Sequence, residues 1–277
     1  MKASHFVLSN DVLIPKIGFG TAPLKGDEAY QAVKTALKEG YRHIDTAQIY
    51  GNETEVGKAI HDSAVPRKDI FITSKLDASI KNYDEALTAF EGTLKRLNTD
   101  YLDLYLIHAP WPWDEKYENY DQGNIEAYKA LLRLYEQKKV KAIGVSNFDV
   151  RDLENLKTQN MVPMVNQIKY HIGHPQKAVV KYCQENNILI EAYSPLGRAK
   201  VLKHPQLVQL ASQNRVSVAQ LCIRYILEKA ILPIPRSSTP KHIANNKSID
   251  FALSKETIET LDQLSIESIE FGTPIKK

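Results

Sequence analysis

The regular alternation of short apolar runs with amphipathic segments most constrains how this chain can fold. Eight apolar runs of strand length recur at spacings of roughly 20 to 40 residues, and each precedes a stretch with helical periodicity. Strands that alternate with helices are parallel, because each helix returns the chain to the same edge of the sheet. The pattern therefore predicts an α/β fold built on a parallel sheet.

The predicted elements begin with a small hairpin in residues 6–14, where a Ser-Asn-Asp turn separates two apolar runs. The eight strands are predicted at 17–21, 41–44, 69–75, 101–108, 140–146, 164–167, 188–193 and 231–235. Helices are predicted at 27–39, 53–61, 84–97, 124–138, 149–159, 175–186, 204–213, 217–229, 240–247 and 255–264.

Eight such units favour one closed (β/α)8 TIM barrel, a single domain over residues 1–277 with an N-terminal hairpin and extra C-terminal helices. The alternative is an open, doubly wound sheet, which needs a glycine-rich phosphate turn after its first strand. The stretch Gly18-Phe-Gly20-Thr-Ala lacks the third glycine and is not followed at once by a helix. The closed barrel is therefore the predicted fold.

Composition argues against several classes of partner. The net charge is +3, from 36 basic and 33 acidic residues without a basic block, so neither nucleic acid nor a membrane surface is expected. No apolar run reaches membrane-spanning length and the N-terminus lacks a signal peptide, which predicts a cytoplasmic protein. Cys183 and Cys222 lie far apart in predicted helices, so we expect buried, reduced thiols and no metal site.

The predicted strands share one further property, because each ends in a polar or ionisable residue. These strand ends are Thr21, Asp45, Lys75, His108, Ser146, Gln167, Tyr193 and Arg236. Helix capping could explain some of them, but not Lys75 or His108, which end strongly apolar runs. Since the chemistry of such barrels collects at the carboxyl ends of the strands, the set predicts an active site there.

The stretch 41–57 is the most informative part of this pattern. A short strand delivers Asp45, and Tyr50 follows in a loop, so the two side chains can face one shared pocket. Asn52 is expected to cap the helix that begins near Glu53.

Several short motifs accompany these strand ends. They are Gly18-Phe-Gly-Thr21, Arg42-His-Ile-Asp-Thr-Ala-Gln-Ile-Tyr-Gly-Asn-Glu, Ile72-Thr-Ser-Lys75, Asp103-Leu-Tyr-Leu-Ile-His108, Gly144-Val-Ser-Asn-Phe148, Val165-Asn-Gln167, Ala192-Tyr-Ser-Pro-Leu-Gly197 and Ile234-Pro-Arg-Ser. With these motifs in this order, the sequence resembles the aldo-keto reductase superfamily from about Leu13 to Leu264. The resemblance implies a barrel opened by a hairpin, and reduction of aldehydes and ketones with NAD(P)H, without metal or flavin.

The resemblance also implies four catalytic roles. Tyr50 is the proton donor, and the ammonium of Lys75 is expected to lower the pKa of its phenol. Asp45 pairs with Lys75 and holds it charged. His108 binds the substrate oxygen and sets its angle.

Other positions match the cofactor site of the superfamily. The first strand contributes Gly20 and Thr21. The nicotinamide end is assigned to Ser146, Asn147, Gln167 and Tyr193. The pyrophosphate is assigned to Ser194, Leu196 and Gly197. The adenosine end with its 2′-phosphate is assigned to Arg236, Ser237, Ser238, His242 and Asn246. Since His242 replaces a permanent cation of many relatives with a conditional one, NADPH is expected to be preferred while NADH remains usable at lower affinity.

The sequence departs from the superfamily pattern around the substrate. Alanine follows the catalytic histidine where tryptophan is frequent, and Ala22 stands where many members carry an aromatic residue. The substrate pocket is expected to be lined by Ala22, Ala109 and Trp111, and to be wide. Residues 265–277 form a short tail, so the long C-terminal loop of sugar- and steroid-handling relatives is expected to be missing.

Three functions remain open from the sequence. The first is a reductase of small aldehydes and dicarbonyls such as methylglyoxal, acting as a monomer or weak dimer. The second is a keto-sugar reductase of the 2,5-diketogluconate type. The third is a cofactor-sensing subunit without catalysis, against which the four catalytic positions speak.

Overall fold

The computed structural model describes residues 4–264, and in this part of the chain eight parallel strands form one sheet in sequence order. The hairpin ahead of the sheet consists of β1 (His5–Val7) and β2 (Leu13–Pro15). The parallel strands are β3 (Phe19–Gly20), β4 (His43–Asp45), β5 (Phe71–Leu76), β6 (Leu102–Ile107), β7 (Val140–Ser146), β8 (Val165–Lys169), β9 (Leu189–Tyr193) and β10 (Leu232–Ile234). The predicted short tail, residues 265–277, lies outside the described residues.

The sheet curls until its first and last strands meet. The amide of Gly18 donates to the carbonyl of Pro233 over 3.0 Å, and the amide of Gly20 donates to the carbonyl of Pro235 over 3.1 Å. These bonds join the ends of β3 and β10, which confirms the predicted (β/α)8 barrel with its N-terminal hairpin. An open, doubly wound sheet would leave these two strands apart.

Helices surround the barrel on its outer side. They are α1 (Gly26–Lys38), α2 (Glu53–His61), α3 (Tyr83–Leu97), α4 (Asp121–Glu136), α5 (Val150–Lys157), α6 (Lys177–Glu185), α7 (Pro205–Gln213), α8 (Val218–Glu228), α9 (Pro240–Lys247) and α10 (Lys255–Gln263). Phe90 of α3, for example, packs on the sheet where its ring meets that of Tyr105 at 5.1 Å, whereas α10 packs against α8. Across residues 4–264, no helix combines the length and apolar character needed to span a bilayer.

The interior of the barrel divides into two layers of different chemistry. The end nearest the hairpin is apolar and is formed by Leu8, Ile14, Phe71, Leu104, Leu106, Ala142, Val165, Leu232 and Ile234. The end formed by the carboxyl termini of the strands is buried but polar and includes His43, Asp45, Thr73, Lys75, Gln167 and Glu191. Since buried polar groups require partners, this second layer has to be a hydrogen-bonded network.

The expectation that Asn52 caps α2 is wrong. Its side chain makes no cap bond and instead donates to the carbonyls of Thr21 and Leu24 while accepting from the hydroxyl of Thr46. Asn52 is fully buried, so satisfying these groups outweighs capping a helix whose first turn already carries acidic residues. The side chain ties the loop after β3 to the loop after β4.

The second parallel strand also begins later than predicted, at His43 rather than Tyr41. Tyr41 is buried with its ring edge on Phe19 at 5.5 Å, and its hydroxyl donates to the carbonyl of Ile243. Its contacts therefore belong to the layer between sheet and helices.

The close packing of α2 against the end of α3 generates a stability prediction. A Cβ on Gly57 would lie 2.4 Å from the carbonyl oxygen of Leu97, a rigid backbone atom. Gly57→Ala is expected to lower the free energy of unfolding by about 1–3 kcal/mol, the usual cost of overpacking. Gly92→Ala is the control, because its Cβ would meet only the flexible end of Arg96. Urea unfolding of both variants tests this, and equal stabilities would contradict it.

Candidate active site

The central feature of the site is a buried ion pair between adjacent strands. Lys75 is fully buried at the end of β5, and its Nζ lies 2.8 Å from both carboxylate oxygens of Asp45 at the end of β4. The same ammonium donates to the carbonyl of Thr46 over 2.8 Å. Burial lowers the pKa of Lys75, but Asp45 and Tyr50 raise it, and the net shift is upward. Lys75 is therefore protonated, and its ammonium is fixed in place by Asp45 and the carbonyl of Thr46.

Tyr50 reaches this pair from a short 3₁₀ turn, Gln48–Tyr50. Its hydroxyl oxygen lies 3.5 Å from Nζ of Lys75, and the ammonium lies 5.1 Å from the centre of its ring. Burial raises the pKa of Tyr50, Lys75 lowers it and Asp45 raises it, with a net upward shift. The expected lowering by Lys75 is present, but loss of water around the phenol outweighs it.

His108 closes the other side of Tyr50, where the two rings meet edge to face at 5.5 Å. Burial lowers the pKa of His108 well below its ordinary value, and Lys75 lowers it further. The imidazole is therefore neutral, so it carries one donor and one acceptor nitrogen. The predicted catalytic residues Asp45, Tyr50, Lys75 and His108 are thus brought together around one point.

The loop after His108 is held by a half-buried lysine, Lys81, that the sequence did not single out. Nζ of Lys81 donates to the carbonyl of Ala109 over 2.8 Å and to Oδ1 of Asn124 over 2.7 Å. Nδ2 of Asn124 donates in turn to the carbonyl of Pro110. Burial lowers the pKa of Lys81 to about 7. Ala109 itself is fully buried in this arrangement, while Ala22 is partly exposed after β3.

Beyond Ala109 the loop builds an aromatic wall, which we define as Trp111, Trp113 and Tyr117. Trp113 packs its ring against His108 at 5.3 Å, and Trp111 meets Trp113 at 5.5 Å. Tyr117 meets Trp111 at 5.7 Å and is 79% exposed. The rings therefore form a continuous surface from His108 to solvent.

The residues assigned to the nicotinamide end are linked by hydrogen bonds to the Asp45–Lys75 ion pair and to His108. Asn147 donates to the carbonyl of His108 over 2.9 Å and accepts from the hydroxyl of Tyr193 over 2.8 Å. Ser146 donates to the carbonyl of Gln167, and Gln167 donates to Asp45 over 2.8 Å. The hydroxyl of Thr21 donates to the carbonyl of Asp45. These strand ends, which are distant in sequence, therefore form one network.

The hydrogen-bonding groups left over in this network fit a nicotinamide carboxamide. Both protons of the Gln167 side-chain amide are donated within the protein, which leaves the side-chain oxygen, Oε1, as an acceptor. Oδ1 of Asn147 accepts one bond and retains a second lone pair. These two acceptor oxygens, one of which is bonded to the hydroxyl of Tyr193, match the two N–H groups of a carboxamide.

The residues assigned to the outer part of the cofactor lie in two segments. Ser194 and Gly197 have positive φ angles in the turn after β9, where Leu196 is partly buried. Arg236 is exposed after β10, and Gly20 lies against it, since a Cβ on Gly20 would be 3.8 Å from Cβ of Arg236.

The adenosine-end residues surround the start of α9. Ser237 Oγ accepts from the amide of Thr239 over 3.1 Å, and Ser238 is exposed beside it. His242 is exposed in the first turn of α9, whereas Asn246 is buried in its last turn. The start of a helix favours negative charge, so this arrangement suits a phosphate.

Two buried polar residues near the Asp45–Lys75 ion pair, Glu191 and His43, were not predicted from the sequence. Oε2 of Glu191 accepts from Nε2 of Gln167 over 2.8 Å, and His43 shares a 2.9 Å hydrogen bond with Thr73. A signal was available, since Glu191 interrupts an apolar strand and His43 precedes Asp45 by two residues, on the same face.

The two cysteines are buried free thiols, as predicted. Within residues 4–264, no three His, Cys, Asp or Glu side chains come together as metal ligands would.

Comparison with known proteins agrees with this geometry. A family model described as the Aldo/keto reductase family matches residues 16–266. The chain is 43% identical to glyoxal reductase of Bacillus subtilis, over 93% of this chain and 91% of that protein. A crystal structure of an aldo/keto reductase from Brucella melitensis superposes with a TM-score of 0.88 at 42% identity, over 93% of this chain and 98% of the other.

A second solved structure, the Bombyx mori aldo-keto reductase in complex with NADP, has a TM-score of 0.85 at 32% identity. The superposition covers 95% of this chain and 93% of the Bombyx mori chain. With these matches and the site described above, the chain belongs to the aldo/keto reductase family of oxidoreductases, which reduce aldehydes and ketones.

Proposed function

We propose that this chain is an NADPH-dependent reductase of small aldehydes and dicarbonyls, with NADH used at lower affinity. The observation that carries the proposal is the convergence of Tyr50, Lys75 and His108 on one point beside a buried carboxylate. We expect the enzyme to work in the cytoplasm as a monomer or weak dimer.

Carbonyl reduction requires a hydride and a proton, and a nicotinamide held by Gln167, Asn147 and Tyr193 would supply the hydride. Tyr50 donates the proton to the carbonyl oxygen of the substrate. The neutral imidazole of His108 is positioned to donate a hydrogen bond to the same oxygen and fix its direction.

Lys75 acts on the charge that Tyr50 develops during this step. As the phenol loses its proton, negative charge appears 3.5 Å from the ammonium, inside a site that excludes water. A charge held in place beforehand stabilises the transition state without reorganising. Burial makes the resting phenol a weak acid, so this stabilisation is what makes proton transfer practical.

The aromatic wall supports small and flat carbonyl substrates. Trp111 and Trp113 offer apolar ring surface next to His108 and few hydrogen-bonding groups. A keto-sugar presents several hydroxyl groups, and binding it selectively requires polar partners, so the wall favours aldehydes and dicarbonyls. The 43% identity to a glyoxal reductase supports dicarbonyls as well. We also propose that the small side chains of Ala22 and Ala109 leave room for the substrate beside the aromatic wall.

The start of α9 supports NADPH over NADH. Arg236 and His242 are exposed there, with the Ser237 turn between them, and a planar guanidinium suits bidentate binding of a phosphate. The NADP-bound Bombyx mori structure shares this fold at a TM-score of 0.85.

The proposed function is tested by the loss of NADPH absorbance on adding methylglyoxal or 4-nitrobenzaldehyde. The parent protein should reduce both. Tyr50→Phe should lower kcat by at least about 10²-fold, the scale of one lost acid–base group, while NADPH still binds. Near-normal turnover by Tyr50→Phe, or an inactive parent with bound NADPH, would contradict the proposal.

A substitution in the aromatic wall tests the substrate class. Trp111→Ala should raise KM for 4-nitrobenzaldehyde by about tenfold, since an aromatic pair contributes roughly 0.5–1.5 kcal/mol beyond the apolar area it buries. KM for methylglyoxal, which has no ring, should change by less than about twofold on the same reasoning. Tyr117→Ala is the control, because this outer ring is largely exposed. Equal changes for both substrates would show that Trp111 does not contact the ring.

A substitution at the start of α9 tests cofactor choice. His242→Arg supplies a permanent cation and should tighten NADPH by about ten- to a hundredfold, the value of a charge-assisted hydrogen bond. NADH lacks the 2′-phosphate and should bind as before. His242→Gln serves as the neutral control, with cofactor fluorescence titration as the measurement. A similar change for both cofactors would place the phosphate elsewhere.

A further inference from the structure

Glu191 lies beneath the catalytic pair, inside the barrel and fully buried. It stands opposite Gln167 in the register of β8 and β9, and its Oε2 accepts from Nε2 of Gln167 over 2.8 Å. The same nitrogen donates to Oδ2 of Asp45 over 2.8 Å. Two carboxyl groups therefore lie on either side of one amide nitrogen, and each accepts one of its two protons.

Two negative charges this close, away from water, repel each other strongly, so one of the carboxyl groups retains a proton. Asp45 is directly bonded to the ammonium of Lys75 through both oxygens. Glu191 has no such bond, because its nearest cationic candidate is Nε2 of His43 at 3.9 Å. The geometry therefore places the proton on Glu191.

His43 cannot neutralise an ionised Glu191. The imidazole is fully buried, and burial lowers its pKa to about 3, so it is neutral. Its Nε2 shares a hydrogen bond with Thr73, and its ring fits because residue 18 is glycine, where a Cβ would lie 2.8 Å from Nδ1. The titratable groups that face Glu191 are thus Asp45 and His43 from β4 and Lys75 from β5.

We propose that Glu191 is a positioning residue of this active site, which acts through Gln167 and Asp45 and supports proton donation by Tyr50 only while it is protonated. The proposal rests on the proposed reductase function. Burial and Asp45 raise the pKa of Glu191 to about 8, whereas Gln167 and Lys75 lower it. Glu191 is therefore expected to lose its proton near the alkaline end of the physiological pH range.

Loss of this proton has a definite consequence for Tyr50. An ionised Glu191 adds a negative charge whose field reaches Lys75 and offsets the field of the ammonium at the phenol. Tyr50 then holds its proton more tightly and donates it more slowly. The pKa of Tyr50 is already raised above its ordinary value, so the phenol titrates above this range and does not mimic the effect.

The test compares Glu191→Gln with Glu191→Leu. Glutamine stays neutral at every pH and still accepts from Gln167, whereas leucine leaves that amide proton unpaired. In the parent, kcat for 4-nitrobenzaldehyde should fall about tenfold as pH rises from about 7 to about 9, because the protonated fraction of a group with a pKa of about 8 falls from about nine-tenths to about one-tenth. Glu191→Gln should lose this fall, and at about pH 7 it should be about tenfold faster than Glu191→Leu. An unchanged pH profile in Glu191→Gln would overturn the proposal.

A measurement that needs neither cofactor nor turnover tests the proton itself. Infrared difference spectra of the cofactor-free protein should show a protonated carboxyl band below about pH 8 that disappears above it and is missing from Glu191→Gln. No such band in the parent would overturn the proposal even if Glu191→Leu failed to fold. A parent that reduces no carbonyl would overturn the proposed function instead, and the infrared result would still decide whether Glu191 carries a proton.

Discussion

The buried ion pair between Lys75 and Asp45 is the interaction on which the rest of the site depends. An ammonium without accessible surface would be very costly if unpaired, and here the carboxylate of Asp45 and the carbonyl of Thr46 satisfy it. Since both residues end adjacent strands, the barrel itself sets their separation. Tyr50 and Gln167 each contact one member of the pair, so the proposed proton donor and the proposed nicotinamide site are positioned by the same charges.

The barrel supports this pair by dividing its interior into two chemistries. Apolar side chains fill the end near the hairpin, with Ile14 of β2 packed against the barrel interior. Polar side chains fill the other end and are linked by short hydrogen bonds between strands. Links of this kind hold polar groups in place, which suits a site whose electrostatic work requires fixed charges.

The proposed substrate contacts belong to a loop rather than to strand ends. The loop after β6 carries the aromatic wall, and Lys81 and Asn124 hold its first carbonyls. In the proposed enzyme, a rigid barrel would keep one chemistry while this loop sets which carbonyl compounds fit. Ala109 is itself fully buried, and the ring of Trp113 packs against His108.

Sequence alone determined the order of strands and helices, the closed barrel and the polar strand ends proposed as catalytic, because periodicity and strand ends are local properties. It also placed Asp45 and Lys75 on the right edge of the sheet. Only the tertiary structure decided what those side chains meet. Asn52 bonds across two loops instead of capping its helix, burial outweighs Lys75 at the phenol of Tyr50, and Glu191 shares an amide with Asp45. Each of these outcomes depends on desolvation and on neighbours from distant strands, neither of which a linear pattern contains.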